Sequence, residues 1–217
     1  MTERRNVPGD HLLPVTIDIP PKLDPREWNE IAGNLFNEIR GQGLPVSCGL
    51  GDADRLKWVN DELGHATGDR FLQAIETTLD VRHNSAELLA SGRSFGRRVG
   101  GDEFKLLIVA DSQGAEAYKK RVLAGVTSYL NLPENRQIKD IGAGLSLGMA
   151  TASPDDNVSF EELMHQADQA MYAEKRKLLE LNRKQRIGAF VMNEVGRLFG
   201  VSPQVYAERV RNFSDKK

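Results

Sequence analysis

Residues 95–110 read Phe-Gly-Arg-Arg-Val-Gly-Gly-Asp-Glu-Phe-Lys-Leu-Leu-Ile-Val-Ala. Two β-prone pieces, Phe95 to Val99 and Glu103 to Ala110, flank a tight turn at Gly100-Gly101, the pattern of a β-hairpin. A hairpin makes at least part of the sheet antiparallel, and the segments on either side decide what covers it. Upstream, Asp24-Pro25 opens a helix with Trp28, Ile31, Leu35 and Ile39 on one stripe, ended by Gly41-Gln42-Gly43. Leu44 to Leu50 reads as a short buried strand, Asp54 to Leu63 as a short helix stopped by Gly64, and Gly68-Asp69 as the opening of a longer helix bearing Phe71, Leu72, Ile75 and Leu79. Asn84 to Gly92 reads as a loop or frayed helix end. Downstream, Ala115 to Tyr129 is helical by composition, Gly142 to Ala150 alternates like a strand, and Ser159 to about Leu181 is a long helix. The order helix, β, α, hairpin, α, β, α predicts an α+β fold of the ferredoxin-like or polymerase-palm kind, a central antiparallel-containing sheet flanked by helices.

The 217 residues suit one domain of ordinary size with a short appendage, too small for an additional large sensor domain. A hydrophobic share of 40% and a charged share of 28% describe a chain that buries a core, which excludes disorder, collagen and a membrane bundle. The net charge of −2 hides an asymmetry: Lys175 to Lys217 holds 11 basic and 4 acidic residues, net +7, leaving −9 for the rest. Residues 1–23 form an extended lead-in with four prolines, 24–181 the main domain, and 182–217 a basic helical extension. A single cysteine, Cys48, forms no internal disulfide and reads as a core residue. No apolar leader or membrane-length run is present, so the expectation is a cytoplasmic protein with no membrane partner.

Two acidic clusters carry the chemistry. Asp52-Ala53-Asp54 sits where a strand gives way to a helix; two carboxylates and a free carbonyl there can bind a hard divalent cation, although Asp54 alone also reads as the cap of the helix beginning at Arg55. Gly100-Gly101-Asp102-Glu103 puts two more acids in the hairpin turn, where they serve no core; the plainer account is a solvated acidic turn. If the first strand and the hairpin are sheet neighbours, Asp52 and Asp102 come together in the geometry of a two-metal phosphoryl-transfer site.

Gly100-Gly101-Asp102-Glu103-Phe104 is the signature of the GGDEF family, the diguanylate cyclases, and four further blocks resemble it in the same order. Asp52 to Asp61, Asp-Ala-Asp-Arg-Leu-Lys-Trp-Val-Asn-Asp, is similar to D-x-D-x-F-K-x-x-N-D; Gly64 to Asp69 is G-H-x-x-G-D; Ser146-Leu147-Gly148 resembles an S-x-G strand; Ala167 to Lys175 resembles A-D-x-A-M-Y-x-A-K, with Glu174 for the last Ala. The resemblance implies a palm-like enzyme that condenses two GTP into cyclic di-GMP with release of pyrophosphate, each subunit of a homodimer holding one GTP. By position, Asp52, the Ala53 carbonyl, Asp102 and Glu103 would hold Mg²⁺ or Mn²⁺, with Asp102 and Glu103 catalytic. Asn60 and Asp69 would read guanine; the backbone of Arg55 and Leu56, with Lys57 and Lys175, would hold phosphates; Gly100 and Gly101 form the signature turn. A carboxylate at Asp69 accepts from the N1 hydrogen and 2-amino group of guanine, which adenine cannot supply. His65 reads as a structural hydrogen-bonder.

The chain departs from the family pattern in four places. No D-x-L-T-G-L-x-N-R block precedes the first strand, Leu56 replaces Phe, and Leu178-Leu179 stands where G-R follows the phosphate lysine. The product-inhibition motif R-x-x-D falls on Ser91-Gly92-Arg93-Ser94, so feedback binding of product is not expected there. These departures leave a second reading, a catalytically degenerate module that binds GTP or docks on a partner. The basic extension, with Val195 to Pro203 resembling the middle of a helix-turn-helix, reads first as packing or dimerisation and second as a DNA contact.

Overall fold

The computed structural model describes residues 24–79 and 94–199. Helix α1 (Pro25–Gly41) begins at a capping box: Asp24 Oδ1 accepts from the Arg26 and Glu27 amides at 2.7 and 2.9 Å, and the Glu27 carboxylate accepts from the Asp24 amide at 2.8 Å. Its buried face is Trp28, Ala32, Leu35, Phe36 and Ile39, with Ile31 at the margin. Strand β1 (Val46–Asp54) follows, then α2 (Leu56–Leu63), α3 (His65–Leu79), β2 (Ser94–Arg98), β3 (Glu103–Ile108) and α4 (Ser112–Leu130). A 3₁₀ turn (Pro133–Asn135) and the short α5 (Arg136–Ile141), which sequence patterning left unassigned, lead to β4 (Gly144–Ala152) and α6 (Phe160–Phe199). The described strands form one antiparallel sheet in the order β2-β3-β1-β4.

The first strand is longer than its apolar run suggested. Pairing of β1 with β4 continues from Val46↔Ala152 to Asp54↔Gly144, so Asp52-Ala53-Asp54 is the end of the strand rather than a segment after it. The sheet supplies hydrogen-bond partners on both sides, and these override the weak strand propensity of Gly and Asp. The turn into α2 is made by Arg55 alone, in the left-handed region at φ 61, the one non-glycine residue with positive φ among those described. Asp54 therefore does not cap the following helix, and α2 starts at Leu56 with no side-chain cap. Likewise α3 starts at His65, three residues before Gly68, because Gly64 at φ 84 already reverses the chain. The long helix α6 runs past Leu181 to Phe199; the Gly200 to Pro203 turn expected there lies outside the described residues.

Two apolar clusters lie on the two faces of the sheet. One gathers Phe104, Leu106, Leu145 and Leu147 under α2, α3 and α4; the other gathers Val46, Cys48, Leu107 and Ala152 under α1 and the start of α6. Burial pushes the Cys48 thiol up to about 12, as befits a packing residue. The chain divides into two compact units, Met1–Lys175 and Arg176–Lys217.

One glycine fixes how α6 meets the sheet. A Cβ on Gly148 would collide with the backbone of Ala167 and Met171, so helix and strand touch main chain to main chain. Gly148→Ala is expected to cost about 1–3 kcal/mol in denaturant unfolding, because the clash is with backbone and not with a flexible side chain. Gly101→Ala, where a Cβ meets nothing within 4 Å, is expected to stay within about 0.5 kcal/mol.

Candidate active site

The end of β1 and the hairpin are neighbours in the sheet. Asp52 pairs with Glu103 across β1–β3 and with Ser146 across β1–β4, and the Ala53 amide donates to the Asp102 carbonyl at 2.9 Å. Both acidic clusters found in the sequence thus meet at one end of the sheet. Side chains alternate along a strand, so Asp52 and Asp54 share the side of β1 occupied by Val46 and Cys48, the side on which α6 packs. Two carboxylates directly opposite across a strand pair repel. Lys175 answers part of that charge: its Nζ lies 2.7 Å from Asp52 Oδ2, with side chains 32% and 14% exposed.

The position of Lys175 follows from the fold. Met171 lies against Gly148, and Lys175 is one helical turn further on, at i+4, on the same face of α6. The preceding residue, Glu174, pairs with Lys119 of α4 at 3.0 Å, a second tether at this point of the helix. In this chain the Glu that replaces the family's Ala is thus part of an ion pair.

Asp54, read from the sequence either as half of a cation-binding pair or as a helix cap, is buried beside Asp52. It is only 6% exposed, and the Ser146 hydroxyl lies 2.8 and 2.9 Å from its two carboxylate oxygens. Burial raises its pKa from the ordinary 3.8 to about 6, against the Ser146 hydrogen bond; the charge of Asp52 adds to the rise, and Lys175 and Arg55 oppose it. The signal available in the sequence was the spacing of two: in a strand extended through Asp54, Asp52 and Asp54 share a face, and Ser146 stands two residues before the close-packed Gly148.

The other expected residues surround this end of the sheet. Asn60 is half-buried on α2, and Gly68 of α3 makes room for it, since a Cβ there would collide with the Asn60 amide oxygen. Asp69, next in the chain, is exposed on α3. Arg55 directs its guanidinium to the Ile141 carbonyl and over the Trp58 ring, 5.1 Å from its centroid, which leaves its backbone and that of Leu56 as the groups at the start of α2. Lys57 is exposed at the same turn. Gly100 and Gly101 are exposed in the hairpin turn, Asp102 is half-buried and Glu103 exposed. Among the described residues no three His, Cys, Asp or Glu side chains form a ready cluster, so a cation at this end would draw on backbone carbonyls as well as carboxylates. Oxygen donors of this kind suit a hard cation that keeps some of its water, and among the described residues the positive group seated against Asp52 is the Lys175 ammonium. Leu179, in place of the family's Arg, is 61% exposed.

The family profile described as "Diguanylate cyclase, GGDEF domain" matches residues 26–179. The chain belongs to the GGDEF family. Among curated proteins it is 32% identical over 139 residues to the diguanylate cyclase TpbB of Pseudomonas aeruginosa, covering 60% of this chain and 29% of that one. It is 35% identical over 125 residues to the probable diguanylate cyclase DgcE of Escherichia coli, covering 57% and 10%. The chain thus spans under a third of the length of these relatives. Its fold matches the GGDEF domain of DgcB from Caulobacter crescentus in complex with c-di-GMP, with a TM-score of 0.57 at 21% identity over 81% of this chain and 94% of that one. It also matches the active GGEEF domain of a diguanylate cyclase from Vibrio cholerae, with a TM-score of 0.56 at 22% identity over 71% and 91%. The palm-like α+β architecture expected from the sequence is therefore the one observed.

The raised pKa of Asp54 has a measurable consequence. The unfolded carboxyl loses its proton near pH 3.8 and the folded one near pH 6, so in that window the folded state binds more protons and stability falls as pH rises. In metal-free protein, the stability of the wild type relative to Asp54→Asn is expected to decline by on the order of 3 kcal/mol from pH 3.5 to 6.5 in denaturant titrations. Parallel stability curves for the two proteins would contradict this account of Asp54.

Proposed function

We propose that the protein is a diguanylate cyclase dependent on Mg²⁺ or Mn²⁺, acting as a homodimer in the cytoplasm, each subunit holding one GTP. The observation that carries this reading is the pairing of Asp52 with Glu103, with the Ala53 amide bonded to the Asp102 carbonyl, which unites the two acidic clusters. Bound cations would lie against Asp52, the Ala53 carbonyl, Asp102 and Glu103, and would neutralise triphosphate charge and acidify the attacking hydroxyl.

The chain's own groups account for the remaining requirements. Asn60 and Asp69 receive guanine, with Asp69 accepting from N1–H and the 2-amino group. The amides of Leu56 and its neighbours, at the start of α2, face phosphate with a favourable helix dipole, and Lys57 and Lys175 add point charges. Glu103, exposed beside the turn, accepts the proton of the 3′-hydroxyl. That oxygen attacks the α-phosphorus of the GTP on the other subunit, the bond to the β-phosphate oxygen breaks, and pyrophosphate leaves. Two such events close the ring and give cyclic di-GMP. With Ser at positions 91 and 94 in place of Arg and Asp, product does not bind there as an inhibitor.

A non-catalytic GTP-binding or docking module is the second reading, motivated by the exposed Leu179 in place of Arg. Product analysis with GTP and Mg²⁺ separates the two. Cyclic dinucleotide formation is expected, stopped by chelation, and lowered by about 10²-fold or more in Asp52→Asn and Asp102→Ala. GTP binding with no cyclic product at high protein concentration would establish the second reading. Asp69→Ser is expected to cut the preference for GTP over ATP by roughly 10- to 100-fold, the size of one or two hydrogen bonds to a charged acceptor.

Among the described residues no helix is long and apolar enough to cross a membrane. The basic extension is read as a packing or dimerisation element; a DNA contact would appear as a salt-sensitive mobility shift.

A further inference from the structure

The ion pair between Lys175 and Asp52 places an ammonium in direct contact with a carboxylate read above as a metal ligand. At 2.7 Å the contact is a close ion pair, on an Asp52 side chain that is 14% exposed. The lysine is not a loose surface charge. Its helix is seated on the sheet by main-chain contact at Gly148, and Glu174 beside it is tied to Lys119. Asp52 also faces Glu103 across the strand pair and Asp54 along its own strand, so this end of the sheet carries concentrated negative charge. Lys175 is a counter-ion built into the fold.

We propose that Lys175 serves as a resident stand-in for the cation: it neutralises Asp52 while the site is empty, must leave Asp52 when a divalent cation binds, and is thereby released toward the triphosphate that arrives with that cation. An ammonium offers three donors and one charge, whereas a divalent cation demands oxygens, so the two cannot share the Asp52 oxygen on equal terms. The same side chain then opposes cation binding in the absence of nucleotide and supports it in its presence. This couples metal and triphosphate loading, and it rests on the reading of Asp52 as a metal ligand.

The test uses Mn²⁺ alone, titrated by electron paramagnetic resonance into the full chain without nucleotide, so that the readout is independent of turnover. Lys175→Met is expected to bind Mn²⁺ roughly two- to fivefold more tightly than the wild type, the range a partly exposed ion pair can hold back. Lys57→Met, which removes the same charge near the start of α2 without an Asp52 contact, controls for general electrostatics and is expected to change Mn²⁺ affinity less. With GTP present, the order reverses and Lys175→Met binds Mn²⁺·GTP more weakly than the wild type. If Mn²⁺ binding is unaffected by Asp52→Asn, the metal assignment falls and the proposal with it. If binding depends on Asp52 but Lys175→Met is no tighter than Lys57→Met, the counter-ion role alone is overturned and the functional reading stands. Circular dichroism of each variant separates these outcomes from misfolding.

Discussion

The seat of α6 on β4, main chain against main chain at Gly148, is the contact on which the site depends. It sets the distance between a helix and a sheet at the value only a missing Cβ allows. From that one point the helical repeat carries Met171 to Lys175 and brings an ammonium onto Asp52. The same strand carries Ser146 two residues earlier, on the same face, where it holds the buried Asp54. A single S-x-G pattern thus has two separable duties, one for a carboxylate and one for a helix.

The electrostatics of the site follow from this packing. Asp52, Asp54 and Glu103 occupy one end of two neighbouring strands, and the fold tolerates them by different means. Asp52 is paired with a lysine, Asp54 is held by a hydroxyl with its proton affinity raised, and Glu103 remains exposed at the turn. The three carboxylates thus stand in three different environments within one end of the sheet. The strained Arg55 turn immediately after Asp54 keeps the start of α2 within one residue of the carboxylates.

Much of this was legible from residues 95–110, because a Gly-Gly turn between alternating β-prone pieces leaves few alternatives to a hairpin. The meeting of the two acidic segments was legible from the same hairpin, since a first strand paired with it brings Asp52 beside Glu103. What the sequence could not reveal was the length of β1, since Gly-Asp-Ala-Asp has weak strand propensity and is held extended only by partners distant in the chain. The burial of Asp54 went unread with it, because a carboxylate before a helix also looks like a cap until the strand is known to include it. The short α5 was missed because its burial rests chiefly on Ile138, too little periodicity to register.

The Lys119–Glu174 pair reaches beyond the site. Helices α4 and α6 cover opposite faces of the sheet, and β4 is a terminal strand in the described sheet, so the bridge passes around an edge that would otherwise present unpaired amides and carbonyls. Charged side chains at such an edge discourage another chain from adding a strand. Sheet extension at β4 would require displacing this bridge.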